Sequence, residues 1–491
     1  MERLHFPLFA RTLCAWLFSR AAWWAVAGLA MAVVLSYWRV LDTFFVQDDF
    51  GLLVAARNPM PNAEMLRGSC FFRPLSTYWL TLLNVSLFGL QWFYHHAIHL
   101  LMFLATVVAL FGWLRSMAKS TIAALCGAAL YAFSKTHLYT LAWIAGGIDV
   151  SAALCFVLCL WMIDRCLHSP IGTRASRWLP VGVAVTFAGA LLCKESCIVL
   201  PPAYLAWIAV RRIAGRRPFQ PVELKLAAIL VVLAAIYLPC WRQASSVVGS
   251  PAGRFQCDLR RGEKVLRDSV IAVVPARESQ LPVRPWWLLA PCAMAGTAWA
   301  LRRKTTDVAE HLTLAIALWT LPAAIFVFTV YPWWLQLYYS HFSVIGLALL
   351  TAVTVAAIEA WIAERPIARP VAIGVSVVLL AVWVGFGART IRCGIRLRES
   401  PALRQAAYSR AAYERLAPEL KNGQYRRVVL LGVSDLMWAS VHDGNMFRVF
   451  FPGVHLDCDG RDGYQSPSGE RTGPTTLVVR QKALDDMVIV R

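Results

Sequence analysis

Two adjacent carboxylates, Asp48 and Asp49, stand in a short apolar segment after the first long hydrophobic stretch of the chain. A positioned carboxylate can accept the proton of an acceptor hydroxyl, while its neighbour orients a sugar- or phosphate-bearing ligand directly or through a metal ion. The apolar residues before Asp48 should help to desolvate it, so we interpret Asp48 as the candidate base and Asp49 as a binding group. The alternative is a solvated turn or helix cap.

Two cations could hold an anionic ligand: Arg73, which precedes a proline, and Lys194, which stands beside Glu195. Arginine can bind a phosphate through two parallel hydrogen bonds, and lysine supplies a compact charge. We therefore predict that Arg73 and Lys194 contact a phosphate. The alternatives are that Arg73 contacts lipid headgroups and that Lys194 only pairs with Glu195.

Histidines and other polar groups form a third set of candidates. His96 and His99 are three residues apart and share one face of a helix, but the spacing supplies no third zinc ligand. We treat His96 as a candidate substrate-binding residue and leave the need for a divalent metal open. His137, Asp149 and Tyr338 fall in short polar segments between apolar runs. Aromatic residues there could equally belong to a membrane-interface belt.

The composition places these residues in a membrane protein. Of 491 residues, 58% are hydrophobic and 15% are charged, and the mean hydropathy is +0.55. A chain with so few charged residues cannot cover a soluble domain with polar side chains. The composition therefore excludes soluble enzymes and DNA-binding modules. We therefore attribute the net charge of +20 to basic residues that set the membrane topology and contact lipid headgroups. We expect no nucleic-acid partner.

Apolar runs between charges predict about eleven transmembrane helices. They cover residues 21–41, 92–114, 120–135, 148–163, 178–193, 197–210, 226–241, 286–301, 312–334, 342–362 and 371–388. With this count, eighteen basic residues fall in the short loops of one face and five in those of the other. The positive-inside rule then predicts a multi-pass protein of the inner (cytoplasmic) membrane, with a cytoplasmic amino terminus and an extracytoplasmic carboxyl terminus.

The expected fold class is an all-α polytopic membrane domain, residues 1–388, followed by a small extracytoplasmic α/β domain, residues 389–491. On the predicted outer face, the membrane domain carries a first loop, residues 42–79, and a basic loop, residues 242–285, with a helical piece at 260–274. The C-terminal region has a polar helical stretch and three strand-like pieces. These are residues 401–420 for the helix and 427–432, 447–451 and 476–480 for the strands.

One face of the membrane receives the whole set of candidate residues. Under the predicted topology, they all lie at outer span ends or in outer loops. The set is Asp48, Asp49, Arg73, His96, His137, Asp149, Lys194, Glu195 and Tyr338. Ionisable groups near a bilayer are costly and usually functional. Acids, bases and cations on one lipid-accessible face indicate chemistry on a lipid-linked phosphate.

The order of these motifs resembles that of membrane-embedded glycosyltransferases of the GT-C fold. The similarity is greatest to the protein O-mannosyltransferases, including the branch that bears tetratricopeptide repeats. It covers residues 35–210 and only loosely the later spans. The motifs that carry it are Phe45-Val46-Gln47-Asp48-Asp49-Phe50, Arg73-Pro74-Leu75, Phe88-Gly89, His96, the stretch 131–146 and Lys194-Glu195-Ser196.

The resemblance implies transfer of a sugar from a polyprenyl-phosphate donor, with an outer-loop carboxylate as base and usually with inversion. It also implies that the first residue of the acidic pair, Asp48, is the base. The chain departs from the pattern at three positions. His99 stands where Asn is usual, Tyr139 where an acidic residue is common, and Gly147 where Arg is common. No tetratricopeptide repeats follow the spans, so the acceptor, whether lipid, glycan or protein, stays open.

Two further hypotheses fit a polytopic chain with buried charges. One is a lipid-linked saccharide transporter or flippase, although we find no inverted repeat, and Asp48 and Asp49 lie beyond a span rather than within one. The other is a catalytically silent scaffold of GT-C type, which the departures at His99, Tyr139 and Gly147 keep open. In each case membrane lipids are expected partners.

Overall fold

The structure is a computed structural model of the chain. It describes residues 8–57, 72–170, 173–215, 218–247, 257–275, 285–302, 306–328, 337–364, 369–431, 445–458, 476–483 and 486–490.

Helices dominate the described residues up to residue 420. In chain order they are α1 (Leu8–Tyr37), α2 (Asp48–Arg57), α3 (Thr81–Phe88), α4 (Trp92–Ala118), α5 (Thr121–Ala132), α6 (Thr136–Ala142), α7 (Gly147–His168), α8 (Arg174–Cys193), α9 (Leu200–Gly215), α10 (Pro221–Val247), α11 (Leu259–Val273), α12 (Leu289–Arg302), α13 (Thr306–Phe328), α14 (His341–Ala363), α15 (Arg369–Arg396) and α16 (Pro401–Leu420). Shorter helical turns connect several of them.

Each predicted span overlaps one of these helices. Eight segments of the described chain are long and apolar enough to cross a membrane, and three shorter apolar helices accompany them, at Thr121–Ala132, Arg177–Cys193 and Leu289–Leu301. A helix of 12 residues such as α5 is only about 18 Å long, against a hydrocarbon core of about 30 Å. The chain is thus a helical multi-pass membrane protein, and the count of eleven crossings stays a prediction.

Helix α14 forms the centre of the bundle. In its most apolar segment, 78% of the helix is buried inside the protein. Because other helices surround it, this helix is apolar on every side. It packs against α5, α12 and α13, and two glycines allow the closest approaches. A Cβ at Gly346 would lie 2.2 Å from the backbone nitrogen of Trp319, and one at Gly127 would lie 2.5 Å from the carbonyl oxygen of Ala348. Helix α15, in contrast, exposes Val378 and Leu379.

The described C-terminal residues form one helix layer and one sheet. Helix α16 begins where the Ser400 hydroxyl accepts a hydrogen bond from the amide of Leu403 at 3.1 Å. Strands β1 (Arg427–Leu431), β2 (His455–Cys458), β3 (Thr476–Ala483) and β4 (Asp486–Val490) lie in the order β2-β1-β3-β4. Strand β1 is parallel to both of its neighbours, and β4 is antiparallel to β3.

One strand prediction is wrong. Residues 447–451 fall largely in a short helix, α17 (Asn445–Phe450). Met446, Phe447 and Val449 are buried there. A short apolar run fits a buried helix as well as a strand, and here packing decided the outcome.

A second apolar core joins the C-terminal residues to the first loop of the membrane domain. Phe44, Phe45 and Phe50 are buried together with Leu416 of α16 and Val428 of β1. The ring of Phe44 lies 5.1 Å from that of Trp92 and 5.6 Å from that of Phe450, between centroids. The first loop and the C-terminal region therefore lie at the same end of the helical bundle.

Candidate active site

The acidic pair lies at the first turn of α2, and its two members have opposite environments. Asp49 is completely buried, whereas Asp48 is exposed. The Asp49 carboxylate accepts hydrogen bonds from the backbone amides of Val46 at 2.9 Å and Ala145 at 2.6 Å, and a longer one from Ile144 at 3.4 Å. Asp49 thereby ties the first loop to the short helical turn Ile144–Gly146.

The expectation that the preceding apolar residues desolvate Asp48 is wrong. Phe44, Phe45 and Val46 are buried, but the chain turns at Gln47, which has a positive φ of 48°, and points Asp49 inward. Burial raises the pKa of the Asp49 carboxyl to about 7, against the opposing effect of its backbone hydrogen bonds. Asp48 is instead the carboxylate that an external hydroxyl can reach.

Two buried ion pairs lie at the junctions of α8 with its neighbours. Arg73 binds Glu195 with two parallel hydrogen bonds, from Nε to Oε2 at 2.7 Å and from Nη2 to Oε1 at 2.5 Å. Lys194 pairs with Asp149 of α7. The alternative that Lys194 pairs with its neighbour Glu195 is therefore not the arrangement found. The side chain of Arg73 is 14% exposed and that of Lys194 is 6% exposed, so Arg73 is the more accessible cation.

His137 belongs to a buried aromatic cluster at the starts of α6 and α14. Its Nε2 donates to the carbonyl oxygen of Tyr131 at 2.8 Å, and its ring lies 4.8 Å from that of His341, between centroids. The Tyr131 hydroxyl is 3.0 Å from Nε2 of His341. Burial lowers the pKa of His137, so this histidine is neutral and acts here as a packing and hydrogen-bonding group.

The histidines at the start of α4 hold two loops in place. His96 Nδ1 donates to the carbonyl oxygen of Leu141 at 2.8 Å, and His95 Nε2 donates to that of Gly89 at 3.0 Å. His99 packs directly on Gly147, where an added Cβ would lie only 2.2 Å from the His99 Nε2. Two of the three departures from the GT-C pattern therefore contact each other.

A small enclosed cavity of about 30 Å³ lies beside Asp49. Its polar lining comes from Asp49, Ser76, Thr81, Asn84, His95 and His99. The Nδ1 atoms of both histidines are buried and have no hydrogen-bond partner among the described residues. The cavity can accommodate a water molecule or one polar ligand group.

The sequence-predicted residues thus fall into three neighbouring groups. Asp49 shares its cavity with two histidines of α4, and Arg73, Glu195, Lys194 and Asp149 form the two ion pairs, whereas His137 is displaced into the packed cluster. The side chain of Tyr338 lies outside the described residues. Sequence reasoning missed Ser76, Thr81 and Asn84, uncharged polar residues that all line the cavity.

A metal site is not evident in the described part of the chain. There, no three His, Cys, Asp or Glu side chains lie close enough together to hold a metal ion.

Comparison with known sequences matches the middle of the membrane domain. The profile of the dolichyl-phosphate-mannose-protein mannosyltransferase family matches residues 73–241. The human protein O-mannosyl-transferase TMTC1 is 31% identical over 161 residues, which are 29% of this chain and 18% of the relative. The Drosophila melanogaster protein O-mannosyl-transferase Tmtc2 is 26% identical over 147 residues, 30% of this chain and 15% of the relative. The matches thus span less than a fifth of these curated relatives.

Solved structures share the fold over most of the chain. ArnT from Cupriavidus metallidurans, crystallised with undecaprenyl phosphate, matches with a TM-score of 0.51 and 16% identity over 90% of this chain and 87% of that one. The oligosaccharyltransferase AglB from Archaeoglobus fulgidus, in complex with an inhibitory peptide and a dolichol-phosphate, matches with a TM-score of 0.50 and 11% identity over 90% of this chain and 64% of that one. The chain therefore resembles membrane glycosyltransferases of the GT-C type in its sequence motifs and in its fold.

Proposed function

We propose that the protein is a membrane glycosyltransferase that moves a sugar from a polyprenyl-phosphate donor to a lipid, glycan or protein acceptor on the outer face of the membrane. The observation that carries this proposal is the division of labour in the acidic pair: Asp48 is exposed, and its neighbour Asp49 is fixed by three backbone amides. Support comes from the family profile and from the lipid phosphates bound to ArnT and AglB.

In the proposed reaction Asp48 is the general base. The acceptor hydroxyl gives its proton to the Asp48 carboxylate as the acceptor oxygen forms a bond to the anomeric carbon. The bond between that carbon and the phosphate oxygen breaks, and polyprenyl phosphate leaves with the electron pair. A single displacement of this kind inverts the anomeric configuration. Because Asp49 is buried and accepts hydrogen bonds from three backbone amides, we assign it the role of positioning the loop rather than accepting the proton.

The phosphate of the donor is proposed to bind beside Arg73. Its guanidinium is held flat and oriented by Glu195 through two hydrogen bonds, and it retains more exposure than Lys194. An arginine oriented in this way can still direct an N–H toward a phosphate. Lys194 precedes Glu195 in the chain and pairs with Asp149 of α7. We assign Lys194 the secondary role of adding positive charge when a donor displaces Asp149 from it.

The outer-face assignment depends on the predicted topology. The loop with Asp48 and the C-terminal sheet share one apolar core, so whichever face holds one holds the other. The short-loop arginines and lysines are concentrated at the opposite end of the spans, which by the positive-inside rule is the cytoplasmic one.

The test of the function is direct transfer. Purified protein is incubated with a series of labelled polyprenyl-phosphate sugars and a membrane extract, and the labelled product is identified by mass spectrometry. We expect one donor to give a labelled lipid, glycan or protein, and the Asp48→Asn variant to form that product at a rate about 10²- to 10⁴-fold lower. If no donor is consumed, while labelled lipid-linked sugar crosses the membrane of reconstituted vesicles, the protein is a flippase.

A further inference from the structure

A second, larger cavity lies at the same end of the bundle but on a different side. It has a volume of about 520 Å³. It is formed where the helical turn after α1 (Trp38–Asp42) and the start of α4 meet the end of α15 and the first turns of α16. Its lining shares no residue with the small cavity beside Asp49. Buried Phe44 lines the larger cavity and separates it from the acidic pair.

Positive charge dominates the lining of this cavity. Four of the lining residues are arginines, Arg39, Arg396, Arg398 and Arg410, and one is a carboxylate, Asp42. Arg410 Nη1 donates to that carboxylate at 3.1 Å, and Arg410 Nε donates to Glu414 at 2.8 Å. Arg39, Arg396 and Arg398 are exposed.

The lining also has an apolar and aromatic side. Trp38 and Phe93 are 52% and 49% exposed, and both line the cavity. The guanidinium carbon of Arg39 lies 5.4 Å from the centroid of the Trp38 ring. Exposed aromatic rings beside arginines are typical of the level where the hydrocarbon of a bilayer meets the headgroups.

The length of α15 places the arginines at that level. A helix of 28 residues is about 42 Å long and exceeds a hydrocarbon core of about 30 Å, so its last turns project beyond the acyl chains. Arg389, Arg392, Arg396 and Arg398 follow one another in this stretch. On the predicted outer face such a concentration runs against the usual charge bias of membrane proteins. An anionic ligand bound beside these arginines would offset their positive charge.

We propose that this cavity binds the phosphate of an anionic membrane lipid, with Arg39, Arg396 and Arg398 around the phosphate and with Trp38 and Phe93 against the upper acyl chains. The lipid phosphate could belong to a phospholipid such as phosphatidylglycerol or to a polyprenyl phosphate. Because α16 lines one wall and the turn Trp38–Asp42 lines another, the bound lipid would connect the C-terminal region to the membrane domain. The proposal does not depend on the glycosyltransferase activity.

The test is lipid binding by the full-length protein in detergent, measured as the shift in unfolding temperature and by native mass spectrometry. The probes are phosphatidylglycerol, polyprenyl phosphate, zwitterionic phosphatidylcholine and inorganic phosphate. We expect an anionic lipid to stabilise the wild type and phosphatidylcholine to have no such effect. The Arg396→Gln/Arg398→Gln variant should bind about 30-fold more weakly, because each basic residue near an anionic lipid surface contributes about a fivefold factor.

The matched control is Arg404→Gln/Arg415→Gln, which removes the same charge from exposed positions of α16 outside the cavity and should bind as the wild type does. The single variant Arg39→Gln provides an independent test on the turn Trp38–Asp42 should the double variant fold poorly. Stabilisation by phosphatidylglycerol assigns the site to a phospholipid, and stabilisation by polyprenyl phosphate alone assigns it to the carrier lipid. Equal stabilisation by phosphatidylcholine, or equal loss of binding in the control and cavity variants, overturns the proposal.

Discussion

Asp48 and Asp49 show how one peptide unit separates two chemical environments. The turn at Gln47 leaves the first carboxylate in solvent and buries the second against two backbone segments. Burial of the Asp49 carboxyl group destabilises its charged form, and its three amide donors offset this desolvation cost only in part. The exposed group has access to an acceptor, and the buried group gives the loop a fixed geometry.

The burial of Asp49 predicts a pH dependence of stability. Because its pKa is raised in the folded state to about 7 from about 4 in an unfolded chain, the folded protein binds this proton more tightly. The stability contribution is therefore fully present below about pH 4 and is lost as the pH rises to about 7. Asp49→Asn cannot titrate and also loses an acceptor for a buried amide.

We therefore expect Asp49→Asn to be less stable than the wild type at low pH, and the difference to narrow as the pH rises through this range. Thermal unfolding of both proteins in the same detergent, between about pH 4 and about pH 7, measures this difference in stability. A constant difference at every pH would mean that Asp49 has an ordinary pKa in the folded protein.

Arg73 offers a second prediction at the scale of a residue. Arg73→Ala leaves the buried Glu195 without this partner, which should destabilise the protein by about 3–5 kcal/mol, so its activity alone is hard to interpret. In Arg73→Ala/Glu195→Gln the charge is balanced, and we expect folding to recover while the KM for the donor stays raised. Arg73→Lys should retain only part of the donor affinity of the wild type, because lysine cannot form two parallel hydrogen bonds with one phosphate. A normal donor KM in the double variant would remove Arg73 from the phosphate site.

At the scale of elements, the packing of α4 on α7 depends on one close contact. His99 of α4 lies so near Gly147 that a methyl group there would overlap its ring. We expect Gly147→Ala to destabilise the protein by about 1–3 kcal/mol, a typical cost of overpacking. The shorter side chain of His99→Asn makes room for the methyl group, so the double variant should recover part of this loss.

The double-mutant cycle measures this coupling from the unfolding temperatures of the wild type, the two single variants and the double variant. Additive effects of the two substitutions would show that His99 and Gly147 do not restrict each other. Gly374→Ala is a matched control, because a Cβ at that helical glycine meets no other atom within 4 Å.

Much of the helical framework could be predicted from the sequence, because the thickness of the bilayer sets the length of an apolar run and of the helix that it forms. The helix expected at 260–274 is α11 (Leu259–Val273), and the one expected at 401–420 is α16. The partners within the site were not predictable in this way. Spacing along the chain suggested Lys194 with Glu195, but the fold pairs Lys194 with Asp149, 45 residues away. Which neighbour of an acidic pair turns inward likewise depends on tertiary packing.

At the scale of the whole molecule, the first loop, the candidate site and the C-terminal sheet lie at one end of the helical bundle. The second apolar core, with Phe44, Phe45 and Phe50 in contact with α16 and the sheet, fixes the C-terminal region against the loop that carries Asp48. This arrangement couples the topology of the membrane domain to the side on which the proposed reaction occurs.

The predicted topology can be measured with reporter fusions. A reporter placed after Arg491 should behave as extracytoplasmic. One inserted between α9 and α10, at residues 216–217, should behave as cytoplasmic, because the short loops on the predicted cytoplasmic face hold most of the basic residues. A phosphatase and a fluorescent protein, each active on only one side, give complementary signals. Cytoplasmic activity at the carboxyl terminus would invert the face on which the acidic pair lies.

The central claim is that this end of the molecule transfers a sugar with Asp48 as base, and the most direct measurement is the transfer rate of Asp48→Asn at saturating donor. The substitution is nearly isosteric but cannot accept the proton, so we predict a rate about 10²- to 10⁴-fold lower, with donor binding and unfolding temperature unchanged. Asp307→Asn, an exposed carboxylate at the opposite end of the bundle, should transfer at the wild-type rate. A normal rate in Asp48→Asn would contradict the assignment, and a normal rate in Asp48→Asn/Asp49→Asn would contradict the glycosyltransferase mechanism itself.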